Sequence, residues 1–223
     1  MNTDGHTPEK EKLCRELGVK YVILERIPEP GLPARSSSGT KRDLQFPYRI
    51  CIAGGWMDQP WISEIYPGSV VVAQLWPTIS FNDRSGMATS SRKVALELWD
   101  GNIPEGDPLR NAKLLFGAEN PPGCNYISGS QDQIGLLVPD VSRLYCKGDY
   151  WPEKIDNSLD PEVCDWLSEV LHLIPVDARL MNEMEHKYLP HYPGAISSGS
   201  GGGYIVVASG QEVEGAVRVK VRY

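Results

Sequence analysis

Two apolar runs rich in β-branched residues constrain the fold of this chain more than any other feature. Residues 69–76 (SVVVAQLW) and 204–208 (YIVVA) are too apolar to form surface helices, and we expect both to be buried strands. The second run follows a segment with four glycines in five positions, 199–203. Because the strand after it has to be buried, this segment is expected to contact a neighbouring loop or a ligand rather than act as a free linker.

Turn residues and hydrophobic periodicity predict the remaining elements. We expect further strands at 48–53, 78–81, 172–176 and 216–221, and helices at 90–99, 108–116, 132–137, 161–171 and 180–191. Residues 8–17 and 21–24 indicate a short helix and a strand before a segment rich in Pro, Ser and Gly at 28–42. The mixture lacks regular βαβ alternation, which predicts the α+β class. The composition of the segment at 28–42 predicts a domain boundary near residue 42, with residues 1–42 as an N-terminal extension or linker.

Charge and composition narrow the partners. The net charge of −7 argues against nucleic acid or an anionic membrane as the main partner, because both require a basic field. A phosphate ligand stays open, since backbone N–H groups in a local pocket can hold one. No run of 18 apolar residues exists and the first twelve residues are polar, so we expect no transmembrane helix, no signal peptide and a cytoplasmic location. The five cysteines show no C-x-x-C spacing, and we expect buried free thiols.

Two loops near the first strands carry candidate binding chemistry. In the first loop, residues 53–60 (AGGWMDQP), Gly54 and Gly55 permit close approach of a ligand and Asp58 lies at the mouth of the pocket; a plain turn is the alternative. The second loop, residues 83–92 (DRSGMATSSR), precedes a helix, and its small hydroxylated residues either cap that helix or leave its N–H groups for an anion. Its spacing is not that of a Walker A loop.

A third segment places Asp132 between two amides. Residues 128–135 read SGSQDQIG, and a carboxylate flanked by Gln131, Gln133 and small residues is an unusual choice for a surface loop. A capping Asp is the alternative. The last glycine-rich loop, residues 194–203, follows further along the chain.

The order of these segments resembles the GHMP family of small-molecule kinases, which includes galactokinase, mevalonate kinase, homoserine kinase and heptose kinases. AGGWMD follows a strand, SGMATSS precedes a helix, and SGSQDQIG and GAISSGSGGGYIVV come after, so that the resemblance covers about residues 47–223. The pattern R-I-x-x-A-G-G-x-x-D-x-P at 49–60 looks most like the sugar-heptose branch. The resemblance implies two α+β subdomains with ATP between them: residues 43–150, ribosomal protein S5 domain 2-like, and a shortened second subdomain at 151–223, ferredoxin-like.

The resemblance also implies roles for individual residues. The protein would be an ATP- and Mg²⁺-dependent kinase of a sugar hydroxyl, feeding nucleotide-sugar synthesis, with Asp132 as catalytic base. The nucleotide would be bound by Ser85, Gly86, Met87, Ala88, Thr89, Ser90 and Ser91, with Ser90 or Ser91 near Mg²⁺. The sugar would contact Arg49, Gly54, Gly55, Asp58, Gln131, Gly199, Gly201 and Gly202. The oligomeric state is left open, with a dimer as one option.

Departures from the family pattern keep other functions open. Ala88 stands where the family usually has glycine, which restricts the backbone if φ > 0 is required there, and Arg92 and Lys93 replace small residues and offer phosphate contacts. The stretch between Gly135 and Gly194 is shorter than in these kinases. A catalytically inactive sugar- or nucleotide-binding module is therefore the alternative, and an ATP-dependent decarboxylase is a third reading.

Three further features receive expectations of their own. Residues 7–42 faintly resemble the tail of a HIGH-type cytidylyltransferase domain, although no H-x-G-H motif is present, and would be a remnant or part of a longer fusion. The tryptophans are expected mainly in the core, with stacking on a sugar as the alternative for Trp56 and Trp61. The histidines are expected to have no catalytic role.

Overall fold

The computed structural model describes residues 46–81, 85–158, 160–175, 188–192, 194–198 and 203–222. The expectations for the N-terminal extension and the cytidylyltransferase-like segment lie outside these residues. The same holds for the greater part of the helix predicted at 180–191 and for Gly199, Gly201 and Gly202.

The first sheet consists of four antiparallel strands that are hydrogen-bonded in sequence order. They are β1 (Tyr48–Ala53), β2 (Gly68–Leu75), β3 (Val141–Cys146) and β4 (Lys154–Ser158). Their side chains alternate between the two faces, as the period of two residues requires. On β2, Val70 and Val72 belong to one buried cluster, whereas Ala73 and Leu75 belong to another, so the sheet is buried on both faces.

Helices cover the first of these faces. The short α1 (Pro60–Ser63) follows β1, and α2 (Thr89–Leu98), α3 (Pro108–Glu119) and α4 (Gln131–Leu137) lie between β2 and β3 in the chain. Proline at the first helical position and Asp107, whose carboxylate accepts from Leu109 N–H at 3.0 Å, set the start of α3. Leu115 of α3 and Ile134 of α4 pack in the same buried cluster as Val72.

The second sheet and one more helix cover the opposite face. The helix α5 (Pro161–Val170) begins at its N-cap Asp160 and leads into β5 (Leu171–Pro175). This strand forms a sheet with β6 (Ile196–Ser197), β7 (Tyr204–Ala208) and β8 (Val217–Arg218) in the order β6-β7-β5-β8. Leu167, Leu173 and Val206 pack in the same cluster as Ile50 of β1. Within the described residues no helix combines the length and the apolarity that crossing a bilayer needs.

Most of the predicted elements are present. The strands predicted at 48–53, 69–76, 172–176 and 204–208 and the helices at 90–99, 108–116, 132–137 and 161–171 are confirmed, with ends that differ by up to three residues. The mixed α and β content, with two antiparallel sheets, agrees with the α+β class.

Some elements differ from the prediction. Residues 78–81 form no strand; Phe81 instead packs edge-on against Tyr48, with ring centroids 4.9 Å apart. The strand predicted at 216–221 is reduced to two residues and a single bridge between Leu75 and Val221. Strands β3, β4 and β6 and the helix α1 were not predicted. Because β4 pairs with β3, the first sheet extends to Ser158, beyond the boundary expected at 150.

Gly135 allows α4 to lie directly on Arg49 of β1. A Cβ at position 135 would be 2.2 Å from Cγ of Arg49, whereas a Cβ at Gly117 in α3 would meet nothing within 4 Å. Both glycines are inside helices, where alanine is favoured by about 0.5–1 kcal/mol. Alanine is thus intrinsically favoured over glycine at both positions, but only position 117 has space for its methyl group.

We expect Gly117→Ala to raise the free energy of unfolding by about 0.5–1 kcal/mol. Gly135→Ala should lower it, because overpacking costs about 1–3 kcal/mol and Arg49 is held at its charged end as well. Urea denaturation of both variants and the wild-type protein measures the difference. Equal stabilisation by the two substitutions would show that α4 and Arg49 are not in close contact.

Candidate active site

A cavity of about 620 Å³ opens where β1, α2, α4 and β6 come together. Segments that are distant in the chain, and that the sequence singled out separately, meet in its wall. The cavity is lined by ten of the predicted site residues: Arg49, Gly54, Gly55, Asp58, Gly86, Ala88, Thr89, Ser90, Gln131 and Asp132. Ile196 and Ser197, from the described beginning of the last glycine-rich loop, line it as well.

Arg49 and Asp132 form an ion pair in the wall of the cavity. The Arg49 guanidinium, on β1, is 5% exposed and contacts Oδ1 of Asp132 in the first turn of α4. Burial lowers the pKa of Arg49, while the Asp58 carboxylate and the Cys51 thiol act in the opposite direction. Arginine nevertheless stays protonated in proteins. The Asp132 side chain remains 27% exposed, so the carboxylate is held by a cation and still faces the cavity.

Asp58 is bound to the start of α4 by Gln131. Its Oδ2 accepts from the Gln131 backbone N–H at 3.2 Å, and its Oδ1 accepts from Gln131 Nε2 at 3.0 Å. The same Nε2 donates to the carbonyl oxygen of Gly55, so one side chain holds two points of the first loop. A Cβ at Gly129 would lie 1.9 Å from Oδ2 of Asp58, which explains why a glycine precedes this contact.

The surroundings of Asp58 shift its proton equilibrium. Burial raises the pKa of the Asp58 carboxyl, and the hydrogen bonds from Gln131 and the charge of Arg49 offset part of that effect. Asp58 is 3% exposed and Asp132 is much more accessible. The two carboxylates therefore have different environments within one cavity, which suits different tasks.

Backbone conformation shapes the first loop and the start of α2. Gly54 has φ +73°, and a Cβ there would lie 2.0 Å from the Ser69 carbonyl oxygen, so the position requires glycine. Gly86 has φ 73° and Ala88, the N-cap of α2, has φ 55°. Position 88 thus adopts the left-handed conformation that glycine favours, and this conformation is less favourable for an alanine. Ala88 has no side chain that can cap the helix, and no side-chain cap is present.

Three residues predicted to bind nucleotide lie behind the cavity wall rather than on it. The Ser85 carbonyl accepts from the Ser198 hydroxyl at 2.6 Å, and the Met87 side chain is fully buried in the core. Ser91 is buried and hydrogen-bonded to Glu119. The contact between Ser198 and Ser85 joins the last loop to the second one, so these residues support the wall.

Arg92 and Lys93 are not part of the cavity lining. Arg92 is buried and donates from Nε and Nη2 to the Phe46 carbonyl oxygen, at 3.2 and 3.0 Å. Its guanidinium also lies 4.2 Å from the centre of the Tyr48 ring. Lys93 is exposed and is not part of the cavity lining. The expectation of phosphate binding by these two residues is therefore not supported, because Arg92 ties α2 to the start of β1.

Aromatic residues at the cavity were not placed correctly by the sequence. Trp56 lines the cavity and is 50% exposed, and Trp61, Trp76 and Trp166 are also exposed, so the expectation of core positions is wrong for these four. Tyr126 lines the cavity too and was not predicted. Its position just before the Gln131 segment is the signal that could have indicated it.

The cysteine and histidine side chains of the described residues are mostly buried. Cys51, Cys124, Cys146 and Cys164 are free thiols; Cys51 lines the cavity, and burial raises its pKa. His172 of β5 is buried, and its Nδ1 contacts the Val170 carbonyl oxygen at 2.9 Å. Within the described ranges, no group of three or more His, Cys, Asp or Glu side chains could hold a metal ion.

Comparison with known proteins leaves the family open. No family model matches the chain, and no curated protein matches it either. Among solved structures, the chain is similar to a D-glycero-D-manno-heptose 1-phosphate kinase from Bacteriodes thetaiotaomicron, at 12% identity and a TM-score of 0.46, over 79% of this chain and 96% of that chain. A likeness of this size does not establish membership of a family.

The raised pKa of Asp58 predicts a pH dependence of stability. Between the ordinary value of 3.8 and the raised one, the folded protein binds more protons than the unfolded chain. The free energy of unfolding should therefore fall as pH rises through this window. Asp58→Asn abolishes the titration, so the wild-type curve should decline relative to the variant curve as pH rises from about 4.

Urea denaturation across this pH range provides the measurement. Asp165→Asn, which removes an exposed carboxylate on α5, is the control for the loss of one surface charge. Parallel curves for the wild type and Asp58→Asn would contradict the prediction, whatever constant offset the lost hydrogen bond to Gln131 introduces.

Proposed function

We propose that the chain is an ATP-dependent kinase that phosphorylates a hydroxyl group of a sugar or sugar-like molecule. One observation carries the proposal: two features share one cavity. They are the carboxylate of Asp132, which is ion-paired and accessible, and the N-terminus of α2, which has no side-chain cap. Phosphoryl transfer needs positioning, a group that takes up the hydroxyl proton and donors for phosphate oxygens. The cavity offers the last two in its wall.

The start of α2 fits the phosphates of a nucleotide. The helix has no side-chain cap, and the left-handed residues Gly86 and Ala88 turn the backbone just before Thr89 and Ser90, which line the cavity. The positive end of the helix dipole favours an anion at such a point. We infer that residues 86 and 88–90 hold the phosphates, with residues 85, 87 and 91 supporting them from behind.

A magnesium ion fits only together with those phosphates. The described residues contain no carboxylate cage for it, and Mg²⁺ usually keeps several waters and binds through one or two protein groups plus substrate phosphates. The Ser90 hydroxyl is better placed than that of Ser91, which is bonded to Glu119. When bound, MgATP supplies the phosphoryl group and the ion neutralises part of its charge.

Asp132 is proposed as the general base. Its carboxylate accepts the proton of the attacking hydroxyl, while Arg49 holds Oδ1 and fixes the orientation of the side chain. The buried Asp58, held by Gln131, accepts hydrogen bonds from other hydroxyl groups of the acceptor. Gly54 and Gly55 let that molecule come close to the backbone of the first loop.

A sugar- or nucleotide-binding module without catalysis is the second candidate. Arg49 is the one basic residue among the described residues that line the cavity, and it is already paired with Asp132. Charge stabilisation of a transferring phosphoryl group usually uses cations.

We further propose a cytoplasmic location, with which the four free thiols of the described chain agree.

Asp132→Asn tests the proposed base. With MgATP and a panel of monosaccharides, we expect turnover in the wild type and a decrease of about 10²–10⁴-fold in the variant, because that is the usual contribution of a general base. Coupled detection of ADP measures the rate. Asp165→Asn removes an exposed carboxylate outside the cavity and should keep full activity.

The outcomes separate the two candidates. Unchanged turnover in Asp132→Asn would exclude this residue as the base. Tight binding of a sugar or nucleotide in calorimetry, with no turnover by the wild type, would favour the binding module. Absence of any binding would exclude both.

A further inference from the structure

Trp56 offers an aromatic surface to the cavity without a protein partner over half of its area. It is 50% exposed, although it stands in the turn that leads to the buried Asp58 and lines the cavity itself. Tyr126, which is 60% exposed, lines the same cavity. Large aromatic side chains at a concave site, next to a few fixed polar groups, are typical of ligand-binding surfaces.

The Trp56 ring is held in position by its neighbours. Trp61, on α1, packs edge-on against it, with ring centroids 6.0 Å apart and an interplanar angle of 66°. The Gln59 N–H donates to the Trp56 carbonyl oxygen at 3.1 Å, and the Met57 N–H donates to the Gly54 carbonyl oxygen at 2.8 Å. These contacts order the loop before any ligand binds, which reduces the entropy cost of binding.

The polar groups beside this ring are acceptors. Asp58 presents a carboxylate, and the Gln131 Oε1 atom is buried without a hydrogen-bond partner among the described residues. A buried acceptor without a donor is costly, and a ligand hydroxyl can supply the donor. The site therefore fits a molecule with one apolar face and several O–H donors along its edge.

We propose that Trp56 is a stacking platform that makes the cavity selective for six-membered polyol rings, that is pyranoses, over acyclic polyols. A pyranose presents C–H groups on its face, which interact favourably with an indole ring, and hydroxyl groups at its edge, where Asp58 and Gln131 lie. An acyclic polyol has the same donors but no rigid face, and it loses more conformational freedom on binding. The proposal rests on the proposed function only in placing the acceptor in this cavity.

Calorimetry without nucleotide tests the selectivity directly. Each probe pyranose is paired with its alditol, galactose with galactitol and mannose with mannitol, so that the hydroxyl groups are nearly matched and the ring is the variable. We expect at least one pyranose to bind about tenfold more tightly than its alditol, and Trp56→Ala to lose about that factor for the pyranose alone. Trp56→Phe keeps an aromatic face and should retain most of the preference.

Two further variants control for indirect effects. Trp166→Ala removes a tryptophan of similar exposure, 58%, on α5 outside the cavity and should leave both affinities unchanged. Trp61→Ala removes the ring that supports Trp56 and should weaken pyranose binding by a smaller factor. In proton NMR spectra, the C–H signals of one face of the bound pyranose should shift upfield with wild-type protein and not with Trp56→Ala.

The results that would overturn the proposal are distinct from a failure of the kinase function. Equal affinity for pyranoses and alditols, no pyranose binding, or a Trp56→Ala variant that loses affinity for adenosine instead, would overturn it. Pyranose stacking with no phosphoryl transfer from MgATP would leave it standing and contradict the kinase function. If an acyclic acceptor is phosphorylated at a rate that Trp56→Ala does not change, the kinase function stands and the stacking proposal is overturned.

Discussion

The buried charge of Arg49 is the constraint on which the site and its surroundings depend. A guanidinium that is removed from water is strongly unfavourable unless a counter-charge and hydrogen bonds accompany it. Asp132 supplies the counter-charge, and Asp58 lies close enough to affect its pKa. The backbone N–H of Arg49 donates to the Met87 carbonyl oxygen at 3.4 Å. One residue of β1 therefore joins α4, the first loop and the loop before α2.

Small residues make this convergence possible. Gly135 leaves room for the aliphatic part of Arg49, and Gly129 leaves room for the carboxylate of Asp58. Gln131 then holds Asp58 and Gly55 with its backbone and side chain. As a result two carboxylates share one cavity in different states, one buried and held by amide donors, the other accessible and paired with a cation. That division is what a site needs when one group binds a substrate and another exchanges a proton.

The elements that could be predicted are those with local causes. The apolar, β-branched run of β2 and the proline and aspartate that begin α3 and α5 are readable within a few residues, and these elements are present. β4 could not be predicted in this way, since its sequence, KIDNS, is polar and it is a strand because β3 offers it hydrogen bonds. For Trp56 the sequence indicates a large apolar ring, but burial depends on what packs against that ring.

By itself, the sequence determined which segments could carry chemistry: the paired glycines after β1, the small residues before α2 and the carboxylate between two glutamines. Glycine conformations, caps and charges are properties of a residue and its near neighbours, so a pattern reveals them. Only the tertiary structure decided the direction of each side chain. It turned Arg92 to Phe46 and Ser91 to Glu119, and it placed Arg49 against Asp132 and Trp56 on the cavity. These contacts join residues far apart in the chain, and their choice is made by close packing and by the need to pair buried charges.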